Sequence, residues 1–160
     1  MKNFQNKAKI IKVSKILRSI LRIGLFLWVF AILGSFTAWL IPVIALPKEK
    51  IHSSTTYAMC GMTLMAAFGL IVNLKLFRFF DRLKNGHLFD AQTVGNLGAA
   101  GKWWIVFWLF EGLFYQIGNE FFQMKMAWDS GGLFAGLAFI FVAWLLKEAQ
   151  ELQEEQELTV

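Results

Sequence analysis

Glu111 is the side chain whose surroundings point most directly to chemistry. It follows an apolar run, Trp103, Trp104, Val106, Phe107, Trp108, Leu109 and Phe110, and interrupts what is otherwise a membrane-like stretch from Trp103 to Asn119. A carboxylate near the centre of a membrane helix costs on the order of 3 kcal/mol unless it is paired, protonated or facing water. The residues that could donate a hydrogen bond to it are Asn73 in the preceding apolar run, Tyr115 one helical turn on, and Gln116. One reading is a proton or ligand site inside a helix bundle. The other is a polar clamp that only holds helices together.

The remaining reactive residue types do not assemble into a reaction centre. The single Cys60 has no partner for an internal disulfide, and His52 and His87 stand far apart without a second ligand at metal spacing. There is no H-E-x-x-H, phosphate-binding loop or G-x-S-x-G sequence, and no pair of carboxylates confined to one site. No catalysis, metal or cofactor is therefore expected. The aromatic residues, seven Trp and seventeen Phe, suit lipid-facing and interfacial positions better than a cofactor box.

The elements that must carry Glu111 are helices in a bilayer. The chain has 160 residues, 57% hydrophobic and 17% charged, against about 25% charged in a soluble domain. Uncharged stretches run for about the 20 residues that cross a hydrocarbon core. Four spans are predicted, at about 23–46, 53–74, 103–119 and 130–146, with Trp128 and Trp144 as interface anchors of the fourth. Between spans two and three, Asn85-Gly86 ends one helix and Asp90 offers an N-cap oxygen to the next, with Phe89 and Val94 in the positions of a hydrophobic staple. The predicted fold is all-α, an integral membrane four-helix bundle with a basic amphipathic arm over 1–22, a membrane domain over 23–147 containing a hairpin at about 75–102, and an acidic tail over 148–160.

Basic residues set the orientation. The arm holds seven (Lys2, Lys7, Lys9, Lys12, Lys15, Arg18, Arg22), the hairpin five (Lys75, Arg78, Arg82, Lys84, Lys102), and Lys147 makes thirteen on one side, against Lys48, Lys50 and Lys125 on the other. Because basic loops stay in the cytoplasm, both termini and the hairpin are expected there. The net charge of +5 flanks apolar runs, so no direct nucleic-acid binding is expected. The basic segment and the first apolar run are both too long for a cleaved signal peptide, whose apolar core is about 7 to 15 residues.

Three surfaces remain open to partners. In the arm, Phe4, Ile10, Ile11, Val13, Ile16, Leu17, Ile20 and Leu21 alternate with lysines, which suits a helix in the headgroup region or a partner-binding helix. The acidic tail lies on the same side, within reach of the arm's charge. Gly132 and Gly136 have the small-xxx-small spacing that lets helices approach, either within the bundle or in a homo-oligomer.

Two stretches resemble a bacterial family of small four-helix membrane proteins catalogued as domain of unknown function 2975. The first is Leu74-Lys75-Leu76-Phe77 followed by Gly86, Phe89, Val94, Leu97 and Gly101. The second is the ending Leu152-Gln153-Glu154-Glu155-Gln156-Glu157-Leu158-Thr159-Val160. The resemblance implies a multi-pass protein of the bacterial inner membrane without known activity. It also suggests a small helix-turn-helix regulator as partner, since many members are encoded beside one, and the lysine-rich arm looks longer and more basic than the family's. Candidate contacts for such a partner are Phe77, Arg78, Arg82, Gly86, Phe89, Asp90 and Val94 on the hairpin, and Leu152, Glu155, Glu157, Leu158 and Val160 on the tail. The lipid bilayer is the other partner. The competing expectation is a small transporter or proton-coupled permease subunit working through Glu111.

Overall fold

The computed structural model describes residues 2–45, 53–87, 90–125, 127–128 and 130–158, without the side chains of 2–8, 42, 43, 45 and 156–158. Four helices run up and down: α1 Lys2–Ala45, α2 Ser53–Lys84, α3 Ala91–Phe122 and α4 Gly131–Leu158. They pack serially, α1 on α2, α2 on α3 and α3 on α4. At 1.5 Å per residue, helices of 44, 32, 32 and 28 residues measure about 66, 48, 48 and 42 Å, against a hydrocarbon core of about 30 Å. Their charged extensions meet at the hairpin end.

Three segments, Lys9–Ile41, Ser53–Lys84 and Gly131–Glu155, are long and apolar enough to cross a membrane. Their outer faces carry Phe26, Phe30, Phe134 and Phe141, all exposed. Hydrocarbon surroundings account for that surface, since none of these rings has a core to enter. α3 has its apolar run interrupted by Glu111, Gln116, Asn119 and Glu120, and is not among these three segments. It is nonetheless packed along both α2 and α4, and so lies at whatever depth they occupy.

The seams use small residues against large ones. A Cβ on Gly101 would come within 2.7 Å of the Gly136 carbonyl oxygen, and one on Gly132 within 2.7 Å of the Trp108 ring. Gly132 and Gly136 therefore serve the α3–α4 seam within this chain. Gly112 receives Trp128, Gly61 receives Phe114, and Gly69 receives Trp28. Across α1 and α2, the Thr63 hydroxyl donates to Ser35 Oγ at 2.9 Å. At the hairpin end the seams close over a small apolar core of Phe79, Leu83, Val94, Leu97 and Ala143.

Two predicted segments are parts of longer helices. Residues 2–22 of the arm run straight into the first span, α1 continuing through Arg22 and Ile23 to Ala45. No glycine or proline occurs between Lys2 and Ile23 to interrupt the hydrogen-bond ladder, and the run is therefore one helix. The acidic tail is likewise the last part of α4, through Leu158. Its Glu, Gln, Leu and Ala are strong helix formers, and i,i+4 contacts join Lys147 to Glu151 (3.2 Å) and Gln150 to Glu154 (2.8 Å). Helix α1 is described as far as Ala45, and residues 46–52 lie outside the described residues.

Candidate functional site

The hairpin is built from its turn outward. Gly86 takes φ 87°, the left-handed conformation that ends α2, and the His87 amide donates back to the Arg82 carbonyl at 3.1 Å. Asp90 is extended at the start of α3, and its Oδ1 accepts from the Thr93 amide at 2.6 Å. Thr93 is fully buried, and its hydroxyl donates to the His87 carbonyl at 3.1 Å, closing the turn on itself. Arg82 clamps the two helices, its Nε donating to Asp90 Oδ1 and Oδ2 at 3.3 and 3.2 Å while Nη1 reaches Gln92. The Arg82 hydrogen bonds, helped by those from Thr93, hold the Asp90 carboxyl down at about 2.

A second ion pair fastens α1 to this end. Arg18 Nε lies 2.7 Å from Asp81 Oδ1, with the guanidinium carbon 5.1 Å from the centroid of the Phe77 ring. The arm's described ion pair thus goes to α2, where the sequence had suggested the acidic tail. Beside it, Lys75, Arg78, Asp81, Arg82, Gln92 and Asn96 line a cleft of about 540 Å³ between α2 and α3.

Among the predicted hairpin contacts, Arg82 and Asp90 are engaged with each other, Val94 is core, Phe77 lies against Arg18, and Arg78 is exposed. Phe89 lies outside the described residues, so its staple with Val94 does too. On the tail Leu152 and Glu155 are exposed, while Val160 and the side chains of Glu157 and Leu158 lie outside the described residues.

Glu111 is half-buried, and the Tyr115 hydroxyl donates to its Oε1 at 3.0 Å. Its other suggested partners are elsewhere. Gln116 is exposed, roughly 140° round the helix from Glu111. Asn73 turns toward α1, where its amide nitrogen would lie 2.6 Å from a Cβ on Gly24, and it lines a cavity with Trp28 and Trp104. Its Oδ1 is buried without a hydrogen-bond partner. The sequence placed Asn73 on the right helix, but the rotation of that helix decides which neighbour it meets.

Sequence reasoning missed the Arg18–Asp81 pair, the buried Thr93, and the contribution of Gln92 and Asn96 to the cleft. A signal for the last was present. Arg82 and Gln92 are equidistant from His87, as are Arg78 and Asn96, so an antiparallel hairpin turning at that residue brings each pair level.

A family model described as "Protein of unknown function (DUF2975)" matches residues 32–160, which leaves the whole of the basic arm and the first part of the first span outside the match. No curated protein and no solved structure matches the chain.

Proposed function

From the premise that the chain belongs to the DUF2975 family, we propose that it is a non-enzymatic protein of the bacterial inner membrane, a regulatory or sensory partner of a small cytoplasmic helix-turn-helix regulator. In this reading both termini and the hairpin face the cytoplasm, as the thirteen-to-three distribution of basic residues favours. The observation that carries it is the packed layer beyond the uncharged spans. Helix α2 continues ten residues past Leu74, α4 continues from Lys147 to Leu158, and Phe79, Leu83, Val94 and Leu97 give the layer a core. The Arg82–Asp90 and Arg18–Asp81 pairs make this layer a fixed shape rather than a loose loop. Leu152 and Glu155 are exposed groups with which it would meet a partner.

Crosslinking in native membranes tests the proposal, comparing the intact protein with one lacking 148–160. A small DNA-binding regulator recovered with the intact protein and lost on truncation supports it. No soluble protein enriched with either form refutes it. The rival reading, proton-coupled transport, has the half-buried Glu111–Tyr115 pair in its favour. Glu111→Gln separates the two: transport collapses in that variant, whereas regulator binding through the hairpin and tail survives.

A further inference from the structure

We propose that the groove between α2 and α3 is a binding site for an anionic phospholipid of the leaflet on the hairpin side, its headgroup phosphate held by Lys75 and Arg78 and an acyl chain lying along Phe68 and Leu64.

The argument begins with charge. Four ionised groups line the cleft, but Asp81 is met by Arg18 and Lys84, and Arg82 is met by Asp90. Among the described residues no carboxylate pairs with Lys75 or Arg78. Two cations therefore face one cleft with their charge uncompensated, beside the amides of Gln92 and Asn96, which can donate to phosphate oxygens. Gly95 forms part of the wall with open space over its Cα, which leaves room for a headgroup.

Position then selects a lipid over a soluble phosphate. Lys75 directly follows Leu74, the last residue of the uncharged stretch, which puts the cleft at headgroup depth. Leu64, Phe68, Lys75, Arg78 and Arg82 succeed one another at three-, four- and seven-residue steps and form a single stripe along α2. Below the cations the stripe is apolar. Phe68 lies against Trp103 and Phe110, with ring centroids 6.1 and 5.2 Å away, and an apolar cavity of about 300 Å³ opens beside Leu64, Leu113 and Ile117. Leu64 and Leu113 are both exposed, so this cavity is open to the side. From Lys75 to Leu64 the helix descends about 16 Å, close to the roughly 15 Å depth of one hydrocarbon leaflet.

The test uses the full chain in a zwitterionic detergent, titrated with phosphatidylglycerol or phosphatidylcholine and read by native mass spectrometry. Phosphatidylglycerol should bind more tightly than phosphatidylcholine. The double variant K75Q/R78Q should weaken it by about tenfold, and K125Q/K147Q, which removes the same charge outside the groove, should leave it within twofold. G95L keeps both cations and fills the cleft; it should weaken phosphatidylglycerol to a similar extent, and it gives an independent answer if the double variant fails to fold. Equal binding of the two lipids, or equal loss in K125Q/K147Q, would overturn the proposal. Displacement of phosphatidylglycerol by millimolar inorganic phosphate would overturn the lipid assignment and make the occupant a soluble phosphate.

Discussion

Replacing Asp90 with alanine removes two interactions at the hairpin. The first is the N-cap bond to the Thr93 amide, 2.6 Å, whose loss costs about 1 kcal/mol. The second is the ion pair to Arg82, with both side chains 31% exposed, a setting in which such pairs contribute about 0.2 to 1 kcal/mol. Together they predict that Asp90→Ala opens the hairpin by about 1.5 kcal/mol, or roughly tenfold in its local equilibrium. Asp90→Asn keeps an acceptor of similar capping strength and removes only the charge, and should cost about 0.5 kcal/mol. The pH dependence has a definite sign. The Asp90 carboxyl titrates at about 2 in the fold against an ordinary 3.8, so between those values the open state takes up the proton first. The contribution is complete above about pH 4, fades as the pH falls through 2, and disappears in Asp90→Asn. Hydrogen exchange of the Thr93 and Val94 amides, measured with the protein in nanodiscs, reads the opening directly. Exchange in Asp90→Ala within twofold of the parent, or equal in Asp90→Ala and Asp90→Asn, would refute this account of the cap.

The packing seams yield further expectations. Gly101→Leu drives a side chain into the Gly136 carbonyl and Ile140, and should lower stability in detergent by about 3 kcal/mol, whereas Gly34→Ala, with open space around its Cα, should stabilise by about 0.5 to 1 kcal/mol; thermal unfolding compares them. Asn73→Leu removes an amide whose oxygen is buried without a partner, and its midpoint should match or exceed that of the parent. Thr63→Ala deletes the hydroxyl bond to Ser35 and should cost about 0.6 kcal/mol, the usual worth of such a bond between membrane helices, with Ser35→Ala non-additive in a double-mutant cycle.

The ends of the central helices were legible in the sequence because they are set by local chemistry. Asn85-Gly86 stops α2 through a left-handed glycine, and Asp90 starts α3 by accepting from Thr93, three residues on. Each interaction closes within a few residues, so neither needs the rest of the fold. The four helices were legible for a similar reason, since the length and apolarity of a run are properties of that run alone. The family was legible in the spacing of the hairpin and the composition of the C-terminal end.

Rotation about the helix axes was not legible. In a soluble bundle an apolar stripe marks the inward face, but here both the seam and the lipid side are apolar, as the exposed Phe26 and Phe30 of α1 show. Without that contrast, periodicity could not say that Asn73 turns to Gly24 on α1 and away from Glu111, or that Gly132 and Gly136 serve the seam with α3. The fit of glycines to particular rings, Gly61 to Phe114, Gly69 to Trp28 and Gly112 to Trp128, fixes the rotations. Those rotations in turn set Lys75 and Arg78 beside Asn96, and Arg18 against Asp81. The sequence by itself determined where α2 ends and α3 begins and that the helices belong in a membrane, because those follow from short-range hydrogen bonding and composition. Only the tertiary structure decided which faces meet, because that depends on steric fit between side chains far apart in the chain.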